Sequence, residues 1–219
     1  MEIILDILYL YIAIYTFYFL ALAVRNLNDG KFKIERKYAL HEEKDNLAVV
    51  IYAHNNKDNL EKLIHQLKMQ DYPIANFKVF LILDNSTDGS QELYRNDNFI
   101  HVINIKDVGT VGKDQAISLL LEQLSKDDYI DSFVFIDADR GISPNFLSTI
   151  NAAFVRSSVL SGETIIDTDN LGPVDKIKAA YQKYHMNFIR RARSLFGLAS
   201  AADSGVFIVK KEIVTQIGD

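Results

Sequence analysis

An alternation of short apolar runs with helical patterns constrains the fold of this chain more than any other feature. The apolar runs lie at residues 47–53, 77–83, 99–105 and 132–136, and the first, LAVVIYA, is apolar throughout, as is typical of a strand buried on both faces. Leu60, Leu63, Ile64 and Leu67 share one face of a helix after the first run, and further helices are predicted near Gly112 and from Ser143-Pro144. The pattern predicts an α/β domain with a mainly parallel sheet covered by helices on both faces.

The remaining segments extend this pattern. Residues 159–166 and 205–209 predict two more strands. Residues 174–195 predict a long amphipathic helix whose larger apolar side chains lie on one side.

The N-terminal segment has a different character. Residues 3–24 are apolar or aromatic except for Asp6 and Thr16, which is long enough for one helix to cross a bilayer. We therefore predict a transmembrane anchor over residues 1–24, a polar juxtamembrane connector over 25–46 and a globular domain over 47–219. A cleaved signal peptide and a buried core helix are the alternatives. The first has a candidate cleavage site at 21–23, but it lacks a basic N-terminus and its apolar run is too long.

The charges flanking this segment predict its orientation. The basic residues follow it, whereas Glu2 and Asp6 lie at its N-terminal end; the basic residues are Arg25, Lys31, Lys33, Arg36 and Lys37. The positive-inside rule then predicts a single-pass protein of the cell membrane with its globular domain in the cytoplasm.

Composition excludes several classes of function. The formal net charge of -5 argues against a nucleic-acid partner, which usually requires a basic face. The chain contains no cysteine, which excludes disulfides, thiolate metal sites and a cysteine nucleophile.

Polar clusters follow the predicted strands at the point where each ends. They occupy residues 52–56, 84–88 and 137–139. Because the carboxyl ends of parallel strands meet at one edge of a sheet, we expect these clusters to converge on one ligand.

The cluster Asp137-Ala138-Asp139 is the candidate metal site. If the strand continues past Ile136, its alternation points both carboxylates to one side. Two adjacent carboxylates repel each other unless a cation intervenes, and hard oxygen ligands suit Mg²⁺ or Mn²⁺. The alternative is that Asp139 only caps a turn before Gly141.

The other clusters suggest nucleotide contacts. Asp84 could accept a hydrogen bond from a nucleobase, or it could form an ordinary Asx turn. Lys113 opens a predicted helix, where it could face a phosphate or remain a solvated lysine. His54 could stack on a base or pack beneath its loop.

Taken in chain order, these segments resemble glycosyltransferase family 2. The segments are IYAHNN, the helix end at 70–73, LDNSTDGS, VGK, FIDAD and SGVFIVKKEI. The resemblance runs from about residue 47 to the end. It implies an inverting enzyme with the GT-A fold that uses a nucleotide-diphosphate sugar, with UDP as the expected carrier. An anchor followed by a cytoplasmic domain is similar to membrane-bound members such as the cellulose- and chitin-synthase-like group.

The resemblance also implies roles for individual residues. It implies that Tyr52, Ala53, His54 and Asp84 hold the base and that Lys113 lies near the nucleotide. It further implies that Asp137 lies near the ribose or phosphate, and that Asp139, together with Asp137, binds the divalent metal, Mg²⁺ or Mn²⁺. The acceptor would be a carbohydrate or a lipid-linked molecule.

The chain departs from the family pattern at several positions. Tyr52 stands where the family usually has proline, Asn56 where it has an acid, and Asp203 where it has glycine. The general base is expected in a Glu-Asp motif beyond the point that matches Gly218-Asp219, so no catalytic residue is assigned within this chain.

These departures leave alternatives open. The chain could be the donor-binding part of a glycosyltransferase that continues beyond residue 219. It could instead be a catalytically inactive, membrane-tethered interaction or regulatory subunit with the same fold. A different doubly wound nucleotide enzyme ranks below both, because no Gly-x-Gly-x-x-Gly and no Walker sequence is present.

Overall fold

A computed structural model of the chain describes residues 2–31, 43–105, 113–154, 157–162, 171–190, 192–193, 196–197 and 205–217. The chain divides into two compact units. One contains residues 38–162 and 202–219, and the other contains residues 1–37 and 163–201. The predicted domain boundaries at 24 and 46 remain a prediction, and the structure groups residues 163–201 with the N-terminal segment.

The first unit is built on a six-stranded mixed sheet. Its strands in chain order are β1 (Leu47–Ala53), β2 (Phe77–Asp84), β3 (Ile100–Ile105), β4 (Ser132–Asp137), β5 (Val159–Ser161) and β6 (Val206–Lys210). They lie in the order β3-β2-β1-β4-β6-β5. The first four are parallel, as the sequence predicts, whereas β6 is antiparallel to both β4 and β5.

Helices cover the sheet on both faces. The helices of this unit are α2 (Lys57–Lys68), α3 (Ser90–Tyr94), α4 (Lys113–Leu124), α5 (Phe146–Ala153) and, at the C-terminal end, α7 (Lys211–Ile217). A short 3-10 helix, Ile74–Asn76, leads into β2. On one face α2 and α5 bury Leu63 and Ile150 against Val49 and its neighbours. On the other face α4 buries Leu120 against Val50 and its neighbours. Alternate residues of β1 therefore belong to opposite cores, which explains why its sequence is apolar throughout.

The segment 70–73 fastens α2 to α5. The side-chain amide of Gln70 donates to the Ser143 carbonyl at 2.8 Å and accepts from the Leu147 amide at 3.0 Å. The Tyr72 hydroxyl donates to the backbone carbonyl of Asp45 at 2.7 Å and lies 2.9 Å from Oδ1 of the buried Asn151. These bonds fix the end of α2 before Pro73 turns the chain toward β2.

The second unit contains helix α1 (Glu2–Lys31), helix α6 (Pro173–Tyr184) and a π-helix, His185–Arg190, that continues α6. The section Ile3–Arg25 of α1 is long and apolar enough to cross a membrane. Nearly all of it is exposed, which is not how the core helix of a globular domain packs. A signal sequence meets the same criteria of length and composition.

Some predicted boundaries differ from the observed ones. Helix α1 continues to Lys31, past the end of its apolar section, because helix propagation is cooperative. Residues 32–42 lie outside the described residues. The strand predicted over 159–166 is described only as Val159–Ser161, and residues 163–170 lie outside the description.

Candidate functional site

The carboxyl ends of β1, β2 and β4 lie side by side, as predicted. In the ladder Tyr52 pairs with Ile82 on one side and with Asp137 on the other. Asp84 is the last residue of β2, two positions beyond Ile82. Val50, Ile82 and Phe135 all pack on the α4 face of the sheet. Because strand residues alternate, Tyr52, Asp84 and Asp137 continue that face to the sheet edge.

A direct hydrogen bond joins two of these residues. The Tyr52 hydroxyl donates to Oδ2 of Asp84, and the other carboxylate oxygen of Asp84 accepts from the side-chain amide of Asn85 at 3.0 Å. Burial, followed by this hydrogen bond and the charge of Asp84, raises the pKa of the Tyr52 phenol to about 12. The tyrosine therefore remains a neutral hydrogen-bond donor at physiological pH.

Ala53 and His54, which follow Tyr52 at the end of β1, face the site through different groups. The Ala53 side chain is 3% exposed and packs in the core on the α2 face, so its backbone is the part that can reach a ligand at this edge. His54 is exposed just beyond β1, and its Nδ1 lies 2.6 Å from the Asp84 carbonyl. With Nδ1 protonated, the ring donates this bond and ties the loop after β1 to the end of β2.

Asn55 links the loop after β1 to the loop after β2. Asn55 adopts a left-handed conformation with φ 48°. Its side-chain Oδ1 accepts from the backbone amide of Thr87 at 2.8 Å, and its backbone amide donates to the Ser86 hydroxyl at 3.2 Å. Sequence reasoning identified a polar turn here but did not assign these contacts. The enrichment of asparagine in left-handed positions is the signal that could have found them.

Asp88 holds the starts of two helices. Its Oδ2 accepts from the Lys57 amide at 2.9 Å, at the start of α2, and its Oδ1 accepts from the amide and the hydroxyl of Ser90 at 3.1 and 2.6 Å, at the start of α3. Burial opposes ionisation of Asp88, but the hydrogen bonds outweigh it and lower the pKa of this carboxyl. The loop after β2 is thus braced by an ionised carboxylate.

The two aspartates of the Asp-Ala-Asp cluster lie in different local structures. Strand β4 ends at Asp137, and the Arg140 amide donates to the Asp137 carbonyl at 3.0 Å to close a turn. The expectation that strand alternation points both carboxylates to one side is therefore wrong, because the strand ends at Asp137 and does not continue to Asp139. Ala138 is buried and the Asp139 side chain is 61% exposed, so the turn itself presents Asp139 to solvent.

Arg140 is a neighbour that sequence reasoning did not single out. Its Nε lies 3.6 Å from Oδ1 of Asp139, and its guanidinium packs on Gly205 at the start of β6. A Cβ at Gly205 would lie 2.6 Å from Arg140 Nε, so a side chain there would have to displace the guanidinium. A positively charged group therefore lies beside the exposed aspartate.

The site fits a metal that is shared with a ligand rather than one enclosed by protein. The described residues contain no group of three or more His, Cys, Asp or Glu side chains able to hold a metal ion. Asp137 and Asp139 are hard oxygen donors two residues apart, and Asp139 is open to solvent. Mg²⁺ and Mn²⁺ are typically bound in this way, by one or two carboxylates together with substrate phosphates.

Lys113 is the first residue of α4. Its side chain and Gly112 both lie outside the part of the chain that the structure describes. Ile117 and Leu121, on the same helix, line a cavity of about 310 Å³ together with Tyr52, Asp137 and Gly205. The apolar floor of this cavity includes Val50, Phe135 and Phe207. The cavity thus opens between α4 and the sheet at the edge where the polar residues meet.

Comparisons with known proteins agree with this architecture. The family model described as "Glycosyl transferase family 2" matches residues 48–218. The mannosyltransferase PcManGT from Pyrobaculum calidifontis, solved with GDP-Man and Mn²⁺, is 17% identical with a TM-score of 0.62; the match covers 94% of this chain and 57% of that one. At this identity the likeness shows the fold alone.

A second structure, S. aureus TarS 1-349 with UDP-GlcNAc, is 26% identical with a TM-score of 0.45, over 57% of this chain and 36% of that one. The chain therefore spans less than two thirds of the length of either structure. The comparison with curated proteins found no match.

Proposed function

The chain belongs to glycosyl transferase family 2, and on that premise we propose that its sheet edge binds a nucleotide-diphosphate sugar for transfer to an acceptor. The observation that carries the proposal is the convergence of Tyr52, Asp84 and Asp137 on one face at the carboxyl ends of adjacent strands. Open α/β sheets bind ligands at this position. The transferred sugar's acceptor is a carbohydrate or a lipid-linked molecule.

We assign the nucleobase to the loops after β1 and β2. The Asp84 carboxylate accepts a hydrogen bond from a ring N–H of the base, as uracil and guanine both offer. Each carboxylate oxygen has two lone pairs, so Asp84 can bind a base while it retains Tyr52 and Asn85. The backbone of Ala53 and the exposed ring of His54 border the same space, and UDP is the proposed carrier.

We assign the diphosphate to the other half of the site. Asp137 pairs with Tyr52 in the ladder between β1 and β4. Asp139 is exposed two residues later, in the turn that follows β4. These two carboxylates would hold Mg²⁺ or Mn²⁺, which when bound stabilises the negative charge of the departing diphosphate. From the family resemblance we also assign Lys113, the first residue of α4, to the nucleotide. The neighbouring structure PcManGT was solved with GDP-Man and Mn²⁺.

We propose that α1 anchors the protein in the cell membrane as a single span. Its section Ile3–Arg25 has the required length and composition, and the basic residues that follow it favour a cytoplasmic domain. An anchor joined to such a domain is consistent with the membrane-bound, cellulose- and chitin-synthase-like members of the family.

One observation favours a second candidate function. The Tyr52 hydroxyl, at a position where the family usually has proline, already bonds to the carboxylate proposed to receive the base. A chain whose Asp84 is fully committed to Tyr52 would be an inactive interaction or regulatory subunit.

Calorimetry on the full-length chain in detergent distinguishes the two. UDP, titrated in the presence of Mn²⁺, should bind the unmodified chain, and Asp84→Ala should weaken binding about tenfold or more, because a hydrogen bond to a charged acceptor is lost. Asp128→Ala is the matched control, since Asp128 is an exposed turn residue before β4, at the opposite end of that strand. Equal affinity in the Asp84 variant and the unmodified chain, or no binding to either, would contradict the proposal.

A further inference from the structure

Helix α6 carries an apolar stripe that faces outward. Val174, Ile177, Tyr181 and Tyr184 follow one another at helical spacing and are 64%, 71%, 66% and 49% exposed. Ala179 is the described buried residue of this helix, and at 100° per residue it lies opposite the stripe. The helix therefore packs through its small residue and presents its large apolar side chains to the surroundings.

The charge of this segment indicates what covers the stripe. Residues 173–193 contain one acidic residue, Asp175, and six basic residues: Lys176, Lys178, Lys183, Arg190, Arg191 and Arg193. The chain as a whole has a net charge of -5. A basic amphipathic segment within an acidic protein is typical of one that lies on an anionic lipid surface, where tyrosine side chains also favour the headgroup region.

The contacts of this segment bring it to the membrane helix. The π-helix that continues α6 packs against α1, and both belong to the same compact unit. Arg193 donates from Nη1 to the Tyr18 hydroxyl at 2.6 Å. Tyr18 lies in the C-terminal half of the section Ile3–Arg25, roughly 10 Å along the helix from Arg25. The segment that follows α6 therefore contacts α1 within its apolar section, close to the C-terminal end of that section.

We propose that α6 is an interfacial helix: its apolar stripe inserts into the headgroup boundary of an anionic bilayer, and its lysines contact lipid phosphates. The occupant of the stripe is the bilayer surface on the side where α1 ends. This inference rests on the proposal that α1 spans the membrane. It adds a second membrane contact, in the part of the chain that follows β5, so that the lipid surface holds this unit at two places.

The absence of cysteine makes a direct test possible, because each introduced cysteine can carry one spin label. The full-length chain is reconstituted in vesicles of phosphatidylcholine with phosphatidylglycerol, with a label at Tyr181→Cys on the stripe. Lys183→Cys is the matched control, since two residues along a helix place it on nearly the opposite side and it is also exposed. Ile12→Cys, in the middle of α1, reports whether the anchor is in lipid.

Collision with oxygen, which concentrates in lipid, is compared with collision with a water-soluble nickel reagent. We expect the label at 181 to favour oxygen and the label at 183 to favour nickel, and we expect the preference at 181 to fall when phosphatidylglycerol is omitted. A label at 181 that is as open to nickel as the one at 183 would overturn the proposal, as would a label shielded from both reagents, which would indicate a protein partner. A label at 12 that is open to nickel would instead show that the anchor proposal fails.

Discussion

Removing one hydroxyl group, by Tyr52→Phe, tests the contact that links two strands of the site. The substitution keeps the ring in place and deletes the hydrogen bond to Asp84. A hydrogen bond to a charged partner contributes about 1.5–3 kcal/mol, and partial exposure of both side chains reduces this contribution to about 1 kcal/mol. For a domain of this size, that loss lowers the melting temperature by about 2–4 °C.

The effect should depend on pH in a defined direction. Tyrosine titrates near 10 in an unfolded chain, and the folded environment raises the pKa of Tyr52 to about 12. The stabilising contribution of the neutral phenol is therefore complete below pH 10 and is lost as the pH rises from 10 to 12. The difference between the unmodified chain and Tyr52→Phe should be constant from pH 7 to 9 and shrink above pH 10.

Thermal unfolding followed by circular dichroism on the full-length chain in detergent measures this difference. Burial also raises the pKa of Tyr72 and Tyr94, so the unmodified chain alone cannot isolate one tyrosine. A double-mutant cycle with Asp84→Ala isolates the pair and should give a coupling of about 1 kcal/mol at pH 8. A coupling near zero, or a difference that persists unchanged above pH 11, would refute the assigned contact.

Two further substitutions test how the sheet and its loops are held. Gly162→Ala should destabilise the chain by about 1–3 kcal/mol, because the new Cβ would lie 2.7 Å from the Val206 Cβ, which cannot rotate away; Gly172→Ala, where a Cβ meets nothing within 4 Å, should be close to neutral in the same chemical denaturation. Asp88→Ala should cost about 1–2 kcal/mol through loss of the bonds to the amides of Lys57 and Ser90. Since folding lowers the pKa of Asp88, this stabilisation should be present above about pH 4 and disappear as the pH falls further, and a stability gap that grows in acid would contradict the assignment.

The sheet could be predicted because its central strands are buried on both faces. Such strands appear as continuous apolar runs, and the limits of β1 agree with its run residue for residue. The antiparallel direction of β6 could not be predicted in the same way. A strand's side-chain pattern is the same in either direction, and the direction depends on the path of the long connection that precedes it.

The exposed stripe of α6 shows a second limit of sequence reasoning. The spacing of Ile177, Tyr181 and Tyr184 predicts an amphipathic helix, and the structure has one. A spacing pattern identifies the apolar side of a helix but does not say what lies against that side. In this chain the stripe is exposed, and our proposal that lipid lies against it rests on the basic charge of the segment.

The position of the candidate site could be predicted from the sequence, but the contacts within it could not. The convergence of the clusters after β1, β2 and β4 follows from parallel strands alone. The Tyr52 contact with Asp84 depends on the register between β1 and β2, and the burial of the Ala53 side chain depends on which face it occupies. The approach of Arg140 to Gly205 depends on β6 lying beside β4, which the sequence did not indicate.

Metal-dependent binding of UDP tests the central claim most directly. Calorimetry on the full-length chain, with and without Mn²⁺, compares the unmodified protein with Asp139→Ala and with the control Asp128→Ala. We predict that Mn²⁺ tightens UDP binding in the unmodified chain and in the control, and that Asp139→Ala loses this enhancement. UDP affinity that is the same with and without Mn²⁺, or an enhancement that survives Asp139→Ala, would contradict the assignment of this sheet edge as a donor site.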